Sequence, residues 1–351
     1  MSISVHQRPG VYSSYEASSL VSGGMGRMVG LAAVTAAVSA GTLQTVTSYD
    51  RAAALFGTEG SEGPAELIRL ALKNGAAGVT VAPAAGPEGY EEAFALLAGV
   101  EDLGLVLCDS TDVEVQKKLR DSVIEASQAR RERLCVVAGG KDETAEQLIE
   151  RAGALNHERV ILVAPGAVDR EGKAGSGLPL AAAVAGAAAG ERDPAIPMGG
   201  AELLGLSGLS CRLEDGELER LILGGVTPVE SLGGAVSIVR GVTTRTTSGG
   251  AADSAWRDLS AIRVVDDVIP GLRNVLRAKF RRAKNTEQSR GAIRAQVVLE
   301  LENKLGREII TGYDGVTVSA DPEDATRCLV DFSFAVAHGL NQIWLTAHIT
   351  V

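Results

Sequence analysis

With 351 residues, 45% of them apolar and 22% charged, the sequence is long enough for two compact domains, and its composition fits neither a disordered nor a fibrous chain. Thirty-four Lys and Arg against 44 Asp and Glu leave a net charge of −10, which argues against a whole surface built to grip nucleic acid or an anionic membrane. Forty-two glycines beside two Trp, five Tyr and five Phe make turns plentiful and stacking platforms scarce.

Residues 1–22 have few apolar anchors and no helical period, and Pro9-Gly10 punctuates them, which predicts an extended arm. The apolar run from Met28 to Val34 predicts a buried strand, and Gly41 turns the chain into a second strand over residues 43–48. Asp50 caps a short helix to Phe56, Pro64 opens a helix that Asn74-Gly75 ends, and a strand follows at Val79 to Ala82. A loop over 83–89 leads to a helix at Tyr90 to Ala98.

The next sixty residues are the most regular. Apolar runs at Leu103–Cys108, Leu134–Ala138 and Val160–Ala164 alternate with helical stripes, one through Val115, Leu119 and Val123, the other through Leu148, Ala152 and Leu155. This order predicts a doubly wound α/β core with a parallel sheet. A Gly-rich loop, an Ala-rich helix at Leu180–Ala189 and a strand at Ala235–Arg240 continue it. The shift in composition at 243–253 marks a boundary, giving an arm at 1–22, a core at 23–245, a C-terminal α+β domain at 246–341 and a terminal strand at 342–351. In that domain Ile293, Val297, Leu301 and Leu305 define a helix ended by Gly306. Runs at 328–337 and 342–351, separated by His338-Gly339-Leu340-Asn341, predict a closing β-hairpin whose last strand offers a free edge.

Chemistry-bearing motifs are sparse. Cys108, Cys135, Cys211 and Cys328 form no CxxC pair, which points to a reducing compartment and gives no metal knuckle. The stretches 28–49 and 174–190 are too polar or too rich in Ala and Gly for a membrane span, and the first residues do not resemble a secretion signal. The loop from Gly166 to Ala174 is one residue too long for a P-loop and has Ala where the Ser or Thr should stand. Gly23 to Met28 precedes its strand and lacks a third glycine, so it fails as a dinucleotide fingerprint. Ser207 and Ser210 complete no nucleophile elbow, and His6, His157, His338 and His348 read as structural. No catalytic residue, cofactor or metal is therefore assigned. A cytosolic α/β enzyme of unknown substrate stays as the alternative. One charge feature stands out: eight basic residues between Arg273 and Arg294 against Glu287 alone, a net of +7 that leaves −17 for the rest. Such a stretch suits an acidic partner, and with only Phe280 interleaved it offers no platform for nucleic acid.

Several segments together resemble the contractile tail sheath proteins of bacteriophages and phage-derived bacteriocins. They are Arg8-Pro9-Gly10-Val11-Tyr12, the stretch 26–81 with Phe56-Gly57 and residues 71–76, then Ala183 to Gly186, Arg240 to Thr244, and the closing alternation to Val351. The resemblance implies a structural subunit that assembles with copies of itself as six-fold stacked rings around an inner tail tube, meets baseplate and terminator proteins, and inserts in no membrane. It places the protein in a phage or tailocin particle assembled in the bacterial cytoplasm. It further implies that both termini add strands to neighbouring subunits, through Val5, Pro9, Val11 and Tyr12 at one end and Ile343, Leu345, Ala347 and Ile349 at the other. In this family the C-terminal domain faces the tube, so Lys279, Arg281, Arg282, Lys284, Arg290 and Arg294 become a tube-docking surface. Larger members carry inserted outer domains for which this chain has no room.

Overall fold

A computed structural model describes residues 26–39, 41–58 and 60–349. Eight strands form one sheet: β1 (Met28–Val34), β2 (Gln44–Val46), β3 (Gly78–Ala84), β4 (Leu103–Cys108), β5 (Leu134–Ala138), β6 (Val160–Ala164), β7 (Val226–Leu232) and β8 (Ala235–Ile238). Their order is β2-β3-β1-β4-β5-β6-β7-β8, parallel throughout except for the antiparallel edge strands β2 and β8. The expected doubly wound core is thus present. Its strands read as unbroken apolar runs because both faces are covered: in β5, Leu134, Val136 and Ala138 enter one hydrophobic cluster while Cys135 and Val137 enter the other.

Helices α1 (Tyr49–Phe56), α2 (Pro64–Lys73) and α6 (Leu178–Gly190) supply the first face; α3 (Tyr90–Ala98), α4 (Val113–Gln128), α5 (Ala145–Leu155) and α7 (Asp215–Leu223) supply the second. Local signals fix their ends. Asp112 accepts the Glu114 and Val115 amides to start α4, and Thr144 with Gln147 forms a reciprocal cap on α5. The Ala-rich α6 lets its backbone approach α2 closely: a Cβ on Gly186 would lie 2.3 Å from the Ala71 carbonyl oxygen.

After the small ribbon of β9 (Thr247–Ser248) and β10 (Ala251–Ala252), the chain enters the long helix α8 (Leu259–Phe280), then α9 (Glu287–Gly306) and the hairpin of β11 (Ile310–Ala320) with β12 (Cys328–Val336). A third cluster joins Val264, Val268 and Leu272 of α8 to Val297 and Leu301 of α9 and to Ile310 and Val316 of β11. The first turn of α8 belongs to the core instead, through Leu259 and Ile262. Ion pairs pin this helix along its length: Asp266 to Arg159, Asp267 to Lys304 of α9, and Arg273 to Glu132.

One expectation is corrected. The run 328–337 pairs with β11, in the register Ile310 to Val336 through Ala320 to Cys328, and not with 342–349 of the expected partner run; residues 337–349 form no strand. Two register shifts in β11, one beside Gly312 and one spanning Gly315 at φ +68°, break the alternation that would have marked the true partner.

Candidate assembly interface

β11 lies along α9, whereas β12 has only a thin contact with α8. A groove of about 640 Å³ is lined by half-buried Leu276 and Phe280 of α8, Lys284, Ile293 of α9, and Cys328 and Val330 of β12. β12 borders this groove, and among the described residues its one strand partner is β11, which leaves its other edge unpaired there. Along β12, Val330, Phe332, Phe334 and Val336 turn toward the third cluster while Leu329, Asp331, Ser333 and Ala335 face outward. The groove has no local signature in the sequence beyond the alternation through Phe332 and Phe334.

The same chain carries an uncovered strand-like segment. Ile343, Leu345, Ala347 and Ile349 share one parity, and Leu345 is 91% exposed, with Trp344 on the other parity at 89%. Among the described residues nothing covers this run, and contiguous exposed apolar surface is the ordinary mark of an interaction site. The N-terminal candidates Val5, Pro9, Val11 and Tyr12 lie outside the described residues.

The six basic candidates occupy the end of α8, the connecting loop and the first turns of α9, but they are not equivalent. Lys279 bonds the Gln296 side chain, Arg290 donates to Asn285 Oδ1 at 2.9 Å, and Arg294 Nε donates to the Val316 carbonyl at 2.8 Å. Arg281, Arg282 and Lys284 are exposed and, among the described residues, make no ion pair. The loop trio therefore holds the side chains of the patch that are free of hydrogen-bond partners among the described residues, while all six keep their charge.

Several polar groups near the places where α/β folds hold ligands are committed to structural contacts. Open α/β sheets hold ligands where the strand order reverses, here between β1 and β4. At that place Asp109 accepts Tyr90 Oη–H at 2.6 Å and the Val34 amide at 2.9 Å, and burial pushes its carboxyl above the ordinary range. Burial likewise pushes the neighbouring Cys108 thiol up to about 12, which leaves it protonated and unreactive near neutral pH. The loop 166–177 folds back on itself, with Asp169 Oδ1 taking the Glu171 and Lys173 amides at 3.1 and 2.7 Å. His157 Nδ1 accepts the Arg159 amide, and burial lowers its tendency to protonate.

Residues 84–244 match the family described as the phage tail sheath protein central domain, and residues 251–350 match the phage tail sheath C-terminal domain. The tail sheath protein of Bacillus phage SP01 is 29% identical over 253 residues, 70% of this chain. That stretch is 43% of the relative, so the chain spans less than half the length of the curated protein it matches. The helical sheath of the anti-feeding prophage in its contracted state is similar with a TM-score of 0.72 at 16% identity, over 98% of this chain and 99% of that one. Crystal structures of sheath tail proteins from Desulfitobacterium hafniense and Listeria innocua give TM-scores of 0.67 and 0.69 at 13% and 14% identity. They cover 93% and 90% of this chain and 100% and 96% of their own. These three structural likenesses are likenesses of fold.

Proposed function

The chain belongs to the contractile phage tail sheath family, and from that premise we propose that it is a structural subunit that polymerises as stacked rings around an inner tube and shortens to drive the tube through a target envelope. It acts by assembly and carries out no reaction. Its partners are copies of itself in six-fold rings, the tube protein, and the baseplate and terminator proteins at the ends of the stack. Its place is the tail of a phage or tailocin particle, assembled in the bacterial cytoplasm.

The observation that carries the reading is self-complementarity within one chain: an exposed apolar segment at 340–349 with no strand partner among the described residues, and a hairpin whose β12 borders a groove lined by half-buried Leu276 and Phe280. A strand laid on that edge gains main-chain hydrogen bonds, and its inward row, Ile343, Leu345, Ala347 and Ile349, roofs the groove. Delivered to a neighbouring copy, it makes a mesh whose joints are sheet hydrogen bonds and therefore survive a rigid-body shift of the subunits. The arm at 1–22 is a second donor in the same scheme. The loop trio of basic side chains faces an acidic tube, with charge supplying steering and register more than affinity.

Electron microscopy of the purified full chain tests the proposal. Rings or tubes are expected. Chains lacking residues 1–20 or 341–351 should keep the circular dichroism of the intact protein and stay monomeric. Tubes formed equally well by both truncated chains would overturn the strand-exchange mechanism, and a full chain that remains monomeric at high concentration would overturn the assembly function.

A further inference from the structure

We propose that Gly339, bearing on Pro197, is the positioning residue that aims the C-terminal segment away from its own subunit and toward the neighbour; the inference rests on the strand-exchange reading above. Two fixed points define the root of the segment. The Ala337 amide donates to the Ile309 carbonyl at 3.2 Å, just beyond the end of β12. Two residues on, Gly339 packs against the ring of Pro197 so closely that a Cβ there would stand 2.6 Å from Pro197 Cβ and 2.7 Å from Cγ. Past this point, the hydrogen bonds of residues 340–349 reduce, among the described residues, to one from Trp344 Nε1 to Gln342 Oε1.

Pro197 makes a firm post. Its ring cannot rotate aside as an open side chain would. The segment that carries it is held at both ends and along its length. The Glu191 carbonyl accepts Arg263 Nη2 at 2.9 Å, Ala195 packs on the third cluster, Met198 is buried in the first, and the Gly200 amide donates to the Ile238 carbonyl at 2.7 Å. The post therefore belongs to the core and the C-terminal domain at once, and the tail leaves the subunit at an angle set by both.

Leverage makes the contact matter. Ten extended residues reach about 33 Å, so a tilt of about 10° at the root displaces the far end by about 6 Å, more than the spacing between strands. A methyl group wedged between residue 339 and the proline ring is enough to miss the receiving edge. Because the contact lies past the last strand on the surface, the fold itself should not register the change.

The test compares four full-length proteins, wild type, Gly339→Ala, Pro197→Gly and the double variant, with a chain lacking 340–351. Gly339→Ala should raise the concentration needed for tube formation, read by sedimentation, at least about tenfold. Its thermal midpoint should match wild type. Pro197→Gly removes the obstructing ring, so the double variant should recover assembly toward the level of Pro197→Gly alone. Unchanged assembly by Gly339→Ala, while the truncated chain fails to assemble, would overturn the pivot and leave strand exchange standing. Tubes from the truncated chain would overturn the pivot together with strand exchange by the C-terminal segment. A lowered thermal midpoint for Gly339→Ala with no recovery in the double variant would make the glycine a folding contact and overturn the positioning role.

Discussion

Arg159, just before β6, and Asp266, in α8, meet through two parallel hydrogen bonds of 2.7 and 2.9 Å with the carboxylate 5% exposed. This pair joins the sheet to the helix that carries the C-terminal domain. Its removal is one-sided in cost: Asp266→Ala strands a buried guanidinium, for which about 3–5 kcal/mol is expected, while Asp266→Asn keeps an acceptor and should cost about 1–3 kcal/mol. Urea unfolding of the three proteins measures this. A loss below about 1 kcal/mol for Asp266→Ala would show that the pair is not what holds α8 to the sheet.

The second tie, Glu132 to Arg273 at 2.7 Å, should give the docking a pH dependence. Burial pushes the Glu132 carboxyl up, but the Arg273 hydrogen bond, a backbone bond and the nearby charge together bring it below the ordinary range. A carboxyl with a depressed folded-state pKa contributes stability that is fully present above its unfolded value, about 4.3, and is lost as pH falls through the folded value. Arg273→Gln should therefore cost about 0.5–1 kcal/mol at pH 7 and almost nothing near pH 3. Paired urea titrations at the two pH values check it; an equal cost at both would mean that Arg273 acts through packing alone.

Glycines inside two helices should respond oppositely to the same change. In α5, Gly153 has open space where a Cβ would go, so Gly153→Ala should gain about 0.5–1 kcal/mol from helix propensity. In α6, Gly186 abuts the Ala71 backbone, so Gly186→Ala must pry α2 from α6 and should lose more than that gain. Thermal unfolding of both variants decides the matter, and a stabilised Gly186→Ala would refute the close helix crossing.

How much of this could be read beforehand follows from where side chains are buried. β1, β4, β5 and β6 carry apolar residues on both faces, so composition alone marked them to the residue. The helix α8 escaped because it hides polar Ser260, Arg263 and Asp266 among its buried residues and carries Pro270 in its interior, signs that ordinarily end a helix. β11 escaped because Gly312 and Gly315 interrupt it, and the closing run was then matched to the wrong partner. For the proposed interface, the apolar run 342–349 was legible as alternation. The groove beside β12 was not, because residues far apart in sequence, from α8, α9 and β12, line it. The basic stretch was visible as charge, while the division into bonded and free side chains needed the positions of Asn285, Gln296 and Val316.

That division yields the last prediction. Arg281, Arg282 and Lys284 share an exposed loop, so reversing all three to Glu changes the local charge by six units without breaking a bond seen among the described residues. Folding should be untouched, because exposed charges away from partners contribute within about 0.5 kcal/mol. Association with an acidic tube should fall sharply at low ionic strength and differ little from wild type near 1 M salt, where the screening length drops to about 3 Å. Arg294→Glu should behave differently. Its Nε holds the Val316 carbonyl, so the reversal unties α9 from β11 and should lower the thermal midpoint before any partner is present. Co-sedimentation with purified tube protein across a salt series, beside thermal melts of each variant, separates the two effects. Salt-independent binding by the triple variant at wild-type strength would remove the loop from the tube-facing surface.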